Sequence, residues 1–183
     1  MTSTNPAIVR DATERYRKER REAGESRGAF DTEIRRLGGT PRVETEVRRS
    51  AAPANVAEIL GIAATDETVV RARHMYNGDQ LVQLADSYVP MDVAEAANIE
   101  NPDPGKGGII SRMADAGFEQ TEVIEEVVQY PATQIEADAF GVEVGTSLLQ
   151  ITHAGYTATG RAVEVTVHRP GPGWVLRFSA PLA

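Results

Sequence analysis

Three histidines and one glutamate carry most of the chemistry available to this sequence. His74, His153, His168 and Glu164 all fall in runs rich in β-branched and aromatic residues, so they read as strand residues. Side chains on a strand alternate faces with a period of two. A turn centred on Thr159 and Gly160 then puts Glu164, Thr166 and His168 on one face and Val163, Val165 and Val167 on the other. Across that turn His153 and Gly155 join the polar face, while Thr152, Ala154 and Tyr156 join the apolar one. A slip of one residue reverses the whole assignment. Gln83 and Ser87 share the polar face with His74 if Asn77-Gly78 makes a two-residue turn.

Three kinds of chemistry suit such a wall. Neutral imidazoles on adjacent strands can converge on one metal cation. A carboxylate such as Glu164 can orient a histidine that titrates near neutral pH for acid–base work. The same groups can also simply hydrogen-bond a small molecule, and this is the expected role, with no catalytic residue, metal or cofactor. Gly107-Gly108 stands just ahead of a helical run and offers bare backbone N–H groups at a positive helix end, which suits an anionic or carbonyl group of a ligand. Alone, the pair marks only a turn.

The elements that must hold these residues follow from periodicity and punctuation. Strands are expected over residues 43–50, 69–76, 81–89, 119–130, 147–156, 162–168 and 174–178, and short helices over 55–62, 92–97, 109–116 and 133–140. Thr133 with Glu136 three residues on is a capping box. Phe30, Ile34 and Leu37 recur at helical spacing before Gly38-Gly39. Residues 8–27 have almost no apolar stripe and read as a solvated helix or a flexible linker, whose interleaved glutamates leave little net positive field. No internal repeat is evident, although Gly61-Ile62 and Gly141-Val142 each close a short helix before a hairpin.

Composition narrows the function classes. A chain of 183 residues with 41% hydrophobic content supports one substantial core, here expected over residues 30–183 with a linker or extension over 1–29. The absence of cysteine excludes disulfides, thiolate zinc sites and cysteine nucleophiles. No apolar run approaches the roughly 20 residues of a membrane helix, and the start lacks the order of a signal peptide, so a cytoplasmic protein without membrane contact is expected. A formal net charge of -8 repels phosphate backbones, so DNA contact would need another domain or a partner.

Several separated motifs occur in a telling order: Val56-Ala57-Glu58-Ile59-Leu60-Gly61-Ile62, Val82-Gln83-Leu84-Ala85-Asp86-Ser87-Tyr88-Val89-Pro90, Gly107-Gly108-Ile109, Pro131-Ala132-Thr133, and Tyr156 with Thr159-Gly160 and Val163-Glu164. In this the chain resembles the UTRA domain, the effector-binding half of HutC-type regulators of the GntR superfamily. The resemblance implies an α+β, chorismate-lyase-like fold: a mainly antiparallel sheet flanked by helices, a homodimer, and a small-molecule pocket between sheet and helices. It also makes Arg10-Asp11-Ala12-Thr13-Glu14-Arg15-Tyr16 similar to the linker that joins such a domain to its winged-helix head. With only nine residues before Arg10, the chain reads either as a piece of a longer regulator or as a stand-alone sensor. Two rivals are an enzyme built on the same fold around the pocket histidines, and a headless partner that pairs with a complete regulator or sequesters effector.

By the resemblance, Glu164 is the family's ligand-contacting glutamate, His153 replaces a common arginine, and Pro170 stands where a tyrosine follows the glutamate. Relatives that sense sugar phosphates carry two arginines on the strand before the first hairpin turn. The preferred alignment puts Ala72 and His74 there and turns Arg71 and Arg73 to the other face, which argues against a phosphorylated effector; an alignment shifted by one restores the arginines.

Overall fold

The computed structural model describes residues 7–24 and 26–180. It begins with β1 (Ile8–Asp11), a single turn α1 (Lys18–Arg21) and α2 (Ala29–Arg36). A first strand–helix–hairpin unit follows: β2 (Pro41–Ala51), α3 (Ala54–Leu60), β3 (Glu67–Asn77) and β4 (Gln80–Pro90). Helices α4 (Met91–Ala96) and α5 (Gly108–Asp115) lead to a second unit: β5 (Glu122–Pro131), α6 (Gln134–Phe140), β6 (Ser147–Tyr156) and β7 (Ala162–Pro170). The last strand, β8 (Trp174–Arg177), pairs in parallel with β1. Among the described residues, no helix is long and apolar enough to cross a membrane.

The six long strands form one antiparallel sheet in the order β2-β3-β4-β7-β6-β5. Each unit thus supplies three neighbouring strands, and the two units meet at β4 and β7. This is a repeated topology, contrary to the expectation of none. Gly61 and Gly141 are its surviving trace, each ending its helix at a φ of 67°, where a side chain would be strained. The second helix opens as expected: Thr133 Oγ1 accepts from the Glu136 N–H, and the Glu136 carboxylate accepts from the Thr133 N–H at 3.0 Å.

The alternating strands bury a different cluster on each face. One face packs Val70, Tyr88, Ala154, Val165 and Val167 against Val56, Ala57 and Leu60 of α3. The opposite face has two apolar clusters. Val69, Val89 and Val163 lie under α4 and α5, while Met75, Val82 and Ala85 lie under Phe30 and Ile34 of α2. Along β3, Arg71 and Arg73 fall between Val69 of one cluster and Met75 of the other.

Two bulges decide which side chains meet on that face. In the first hairpin Asn77 pairs with Gln80 and Tyr76 with Leu81, but Met75 pairs with Gln83, leaving Val82 as an extra residue. The Val82 carbonyl accepts instead from the Gly171 N–H at 2.9 Å and from Trp174 Nε1 at 2.8 Å. In the second hairpin Tyr156 pairs with Ala162 and Gly155 with Glu164, leaving Val163 extra.

Residues 8–27 depart from the solvated helix or linker expected of them. They form β1 and α1, and bury Arg10, Arg15 and Arg21. Arg10 pairs with Glu125, and Arg15 pairs with Glu33 at 2.9 Å. These partners lie far along the chain, where a local pattern of charges gives no sign of them.

Candidate functional site

A cavity of about 590 Å³ opens between the strands β3, β6 and β7 on one side and α2, the start of α5 and residues Arg15 and Tyr16 on the other. That volume is typical of a small-molecule site. Gly108, His153, Glu164, Thr166 and His168 line it, as the sequence suggested. Gln83 and Ser87 form a supporting layer: Gln83 Nε2 lies 3.3 Å from His168 Nδ1, and Ser87 Oγ donates to Glu164 Oε1 at 3.1 Å.

Two of the candidates go elsewhere. His74 is exposed on the opposite face of the sheet, and Arg71 and Arg73 line the cavity instead. The cause is the Val82 bulge, which shifts β3 by one residue relative to β4 and so exchanges its faces. The preferred placement of Ala72 and His74 toward the pocket is therefore corrected to Arg71 and Arg73. Gly107 does not line the cavity; its N–H donates to the Ser26 carbonyl at 3.0 Å. It caps α5 at a φ of 74°, where an added Cβ would come within 2.2 Å of Ser111 Oγ.

Glu164 is the hub of the polar wall and is only 3% exposed. Its Oε1 accepts from Thr166 Oγ1 at 2.7 Å as well as from Ser87, and its Oε2 accepts from Gln120 Nε2 at 3.0 Å. Gln120 reaches it only because residue 155 is glycine: a Cβ there would lie 2.3 Å from the Gln120 carboxamide. Burial works to raise the Glu164 pKa, but the His153 ring, the hydrogen bonds from Thr166 and Gln120 and the charge of Arg73 outweigh it and hold the group below its usual range. Glu164 is thus ionised and fixed in orientation. Arg73 completes this arrangement by donating from Nη2 to Ser87 Oγ at 2.6 Å.

Arg71 plays a different part. Its Nη1 donates to the carbonyls of Ile99 at 2.7 Å and Asn101 at 2.5 Å, and its Nη2 to that of Pro102 at 2.7 Å. Burial, with Arg73 and Arg112 nearby, lowers its pKa to about 10, so it stays cationic at neutral pH while it holds the 99–102 loop over the cavity. Arg73 remains as the β3 cation not committed to that loop.

The histidines form an aromatic end to the pocket. The His153 ring, 2% exposed, is stacked by Tyr16 at a centroid distance of 4.7 Å and meets His168 edge-on at 6.4 Å. Its Nδ1 lies 3.6 Å from Glu125 Oε1 and its Nε2 4.0 Å from Glu164 Oε2, and neither nitrogen has a hydrogen-bond partner. Glu125 accepts from Arg10 and from the Tyr16 hydroxyl. Burial works to raise its pKa as well, but the adjacent His153, the charge of Arg10 and the bonds from Tyr16 and Arg10 hold it below the usual carboxylate range. Among the described residues no group of three or more His, Asp or Glu is arranged to hold a metal ion.

His168 gives the site a measurable pH dependence. Burial, with the charges of Arg10, Arg15, Arg73 and His153 added, pushes its pKa well below the ordinary value of about 6.5. Below that value the unfolded chain binds a proton that the folded one refuses, so stability falls as the pH drops. Unfolding free energies from urea titrations at pH 7.5 and 5.5 should differ by up to about 1.4 kcal/mol more in the native chain than in His168→Gln, the limit for one pH unit below 6.5. Equal pH dependence in the two proteins would show that the fold does not shift His168 from its unfolded titration.

The family model described as the UTRA domain matches residues 37–169 of this chain. Among curated proteins, the chain is 29% identical over 147 residues to the HTH-type transcriptional regulator Rv0792c of Mycobacterium tuberculosis, a match that covers 73% of this chain and 50% of that protein. It spans about half the length of the curated relatives it matches. Among solved structures, PhnF from Mycobacterium smegmatis superposes with a TM-score of 0.76 at 13% identity, covering 97% of this chain and 73% of the other. The effector domain of the same protein superposes with a TM-score of 0.68 at 13% identity, covering 84% and 94%. At these identities the two structures show a shared fold.

Proposed function

This chain belongs to the UTRA domain family, and on that premise we propose that it is the effector-sensing part of a GntR-type transcription regulator of the HutC group, acting in the cytoplasm. The observation that carries the reading further is the pairing of an ionised, fully supported Glu164 with the Arg73 guanidinium through Ser87 in one cavity. A ligand suited to that wall presents a hydroxyl or ammonium donor to Glu164 and an anionic group to Arg73. The effector is therefore a small polar molecule with at least one carboxylate or phosphate. Calorimetric titration with a panel of phosphorylated sugars, sugar acids and amino-acid derivatives tests this. At least one should bind, and its binding should be lost in Arg73→Ala; a panel that is silent at millimolar concentration counts against the reading.

Catalysis is not favoured. Glu164 is bonded to two hydroxyls and an amide, and no histidine nitrogen lies within hydrogen-bond distance of it. Regulation would instead work by population shift, the effector favouring one arrangement of residues 101–108 and α5, with DNA contact supplied by another segment of the protein or by a partner.

We further propose a homodimer through β5. The other edge strand, β2, is blunted by alternating charges such as Arg42, Glu44, Glu46 and Arg48, whereas β5 exposes Ile124 at 48% and Val128 at 51%. Light scattering should report a dimer at micromolar concentration, and Val128→Lys should shift it to monomer. A monomer at every concentration in the native chain would refute the interface.

A further inference from the structure

Several side chains that precede the family-matched residues 37–169 are built into the effector site. Tyr16 stacks on His153 with the two rings inclined by 30° and donates its hydroxyl to Glu125, while Arg10 Nη2 donates to both Glu125 and, at 2.8 Å, the Tyr16 oxygen. Arg15 and Tyr16 also line the cavity. At its other end the same segment is tied to α5: Arg21 Nε donates to Ser111 Oγ at 3.3 Å, Ser111 Oγ donates to Glu22 at 2.7 Å, and the Gly107 N–H donates to the Ser26 carbonyl.

These attachments are nearly all polar. Of the described residues in 7–28, Ile8 is the one that belongs to an apolar core cluster. A segment with little apolar burial opens at a lower free energy than the sheet it lies on. Its ties are also shared with the cavity wall, because His153 presents one ring face to Tyr16, meets the His168 ring at 77°, and has its Nε2 4.0 Å from Glu164.

We infer that the described residues of 7–28 form a strap that seats and releases as a unit, with Tyr16 on His153 and Glu125 as its latch, so that the state of the cavity wall sets the position of the strap. The ligand half of this inference rests on the effector-binding reading above. A molecule that contacts His153 then has different affinities for the seated and released forms, and by linkage its binding and the seating of the strap alter each other by the same factor. The strap is a part of the site, and its movement is the signal.

The latch can be tested without any ligand, so its failure is separate from a failure of the ligand panel. Hydrogen exchange by mass spectrometry would follow the Ala12 amide, bonded to the Arg177 carbonyl, and the Arg15 amide, bonded to that of Asp11. In His153→Ala and in Tyr16→Leu these amides should exchange about ten-fold faster or more, as expected for losing a buried aromatic pair and its contacts, while β3 and β7 keep their protection. His74→Ala, the same residue type on the opposite face, should leave the strap at the native rate. Native exchange rates in the strap of both latch variants would overturn the inference. So would an increase spread equally over the sheet, since the segment would then open only with the whole domain.

Discussion

Arg71→Ala should lower the melting temperature by about 6–12 °C, although the residue lines a pocket and is not itself a member of an apolar core cluster. The guanidinium is 1% exposed and supplies the donors for three backbone carbonyls, those of Ile99, Asn101 and Pro102. A buried acceptor left without a donor costs about 1–3 kcal/mol. The Asn101 and Pro102 carbonyls are only partly buried and regain some water, so a total near 3 kcal/mol is expected, and each kcal/mol shifts the midpoint by about 2–4 °C in a chain of this size. Arg71→Lys should recover less than half of the loss, because a single ammonium cannot reproduce the planar fork. Differential scanning calorimetry reads both values. A shift below about 2 °C for the alanine variant would mean that the loop holds its position without Arg71.

The second large effect is a contrast between adjacent residues. Glu164 faces the cavity and Val165 is fully buried among the residues packed on α3. Glu164→Gln keeps the shape of the wall, and the hydroxyls of Ser87 and Thr166 can turn to accept from the new amide. It removes the charge, and losing a charge-assisted hydrogen bond to an effector costs about 1.5–3 kcal/mol, or roughly ten- to a hundred-fold in affinity. Val165→Ala does the reverse. It deletes two buried methyl groups and should cost about 2 kcal/mol of stability, roughly 4–8 °C, with effector affinity unchanged. Titration calorimetry and thermal melts on the two variants, using whichever panel member binds, separate these outcomes. If Glu164→Gln melts early and Val165→Ala abolishes binding, the two faces of β7 are inverted.

That contrast also shows which parts of the site were legible in the sequence. The face of Glu164, Thr166, His168 and His153 was correct for a reason the sequence does not display: the connection at residues 157–161 is longer than a two-residue turn, and the Val163 bulge restores the register beyond it. In the first hairpin the turn is also displaced, to Gly78 and Asp79, and there the Val82 bulge is not offset, so His74 and Arg73 exchange faces. A bulge is one extra residue and has no letter of its own; Val82 looks like any strand valine. The fold and family were readable because they rest on the order of several motifs, which a local slip does not disturb. The N-terminal strap was not readable, because Arg10 finds its carboxylate 115 residues away and Arg15 finds its own 18 residues away. Gln120 was missed for a related reason: what admits it is the absent side chain of Gly155 on the neighbouring strand.

The seam between the two repeated units bears on how the domain resists being pulled apart. It runs over the six residue pairs from Gln83↔Pro170 to Tyr88↔Val165, and no turn joins its two strands. Arg71 and Arg73 project from the first unit, and His153, Glu164 and His168 from the second, so the halves have diverged into a basic jaw and an acidic, aromatic one. A molecule held by both jaws is a rivet across the seam between the units. To separate the two units along β4 and β7, a load on the occupied domain must break the contacts to that molecule as well as the six residue pairs of the seam.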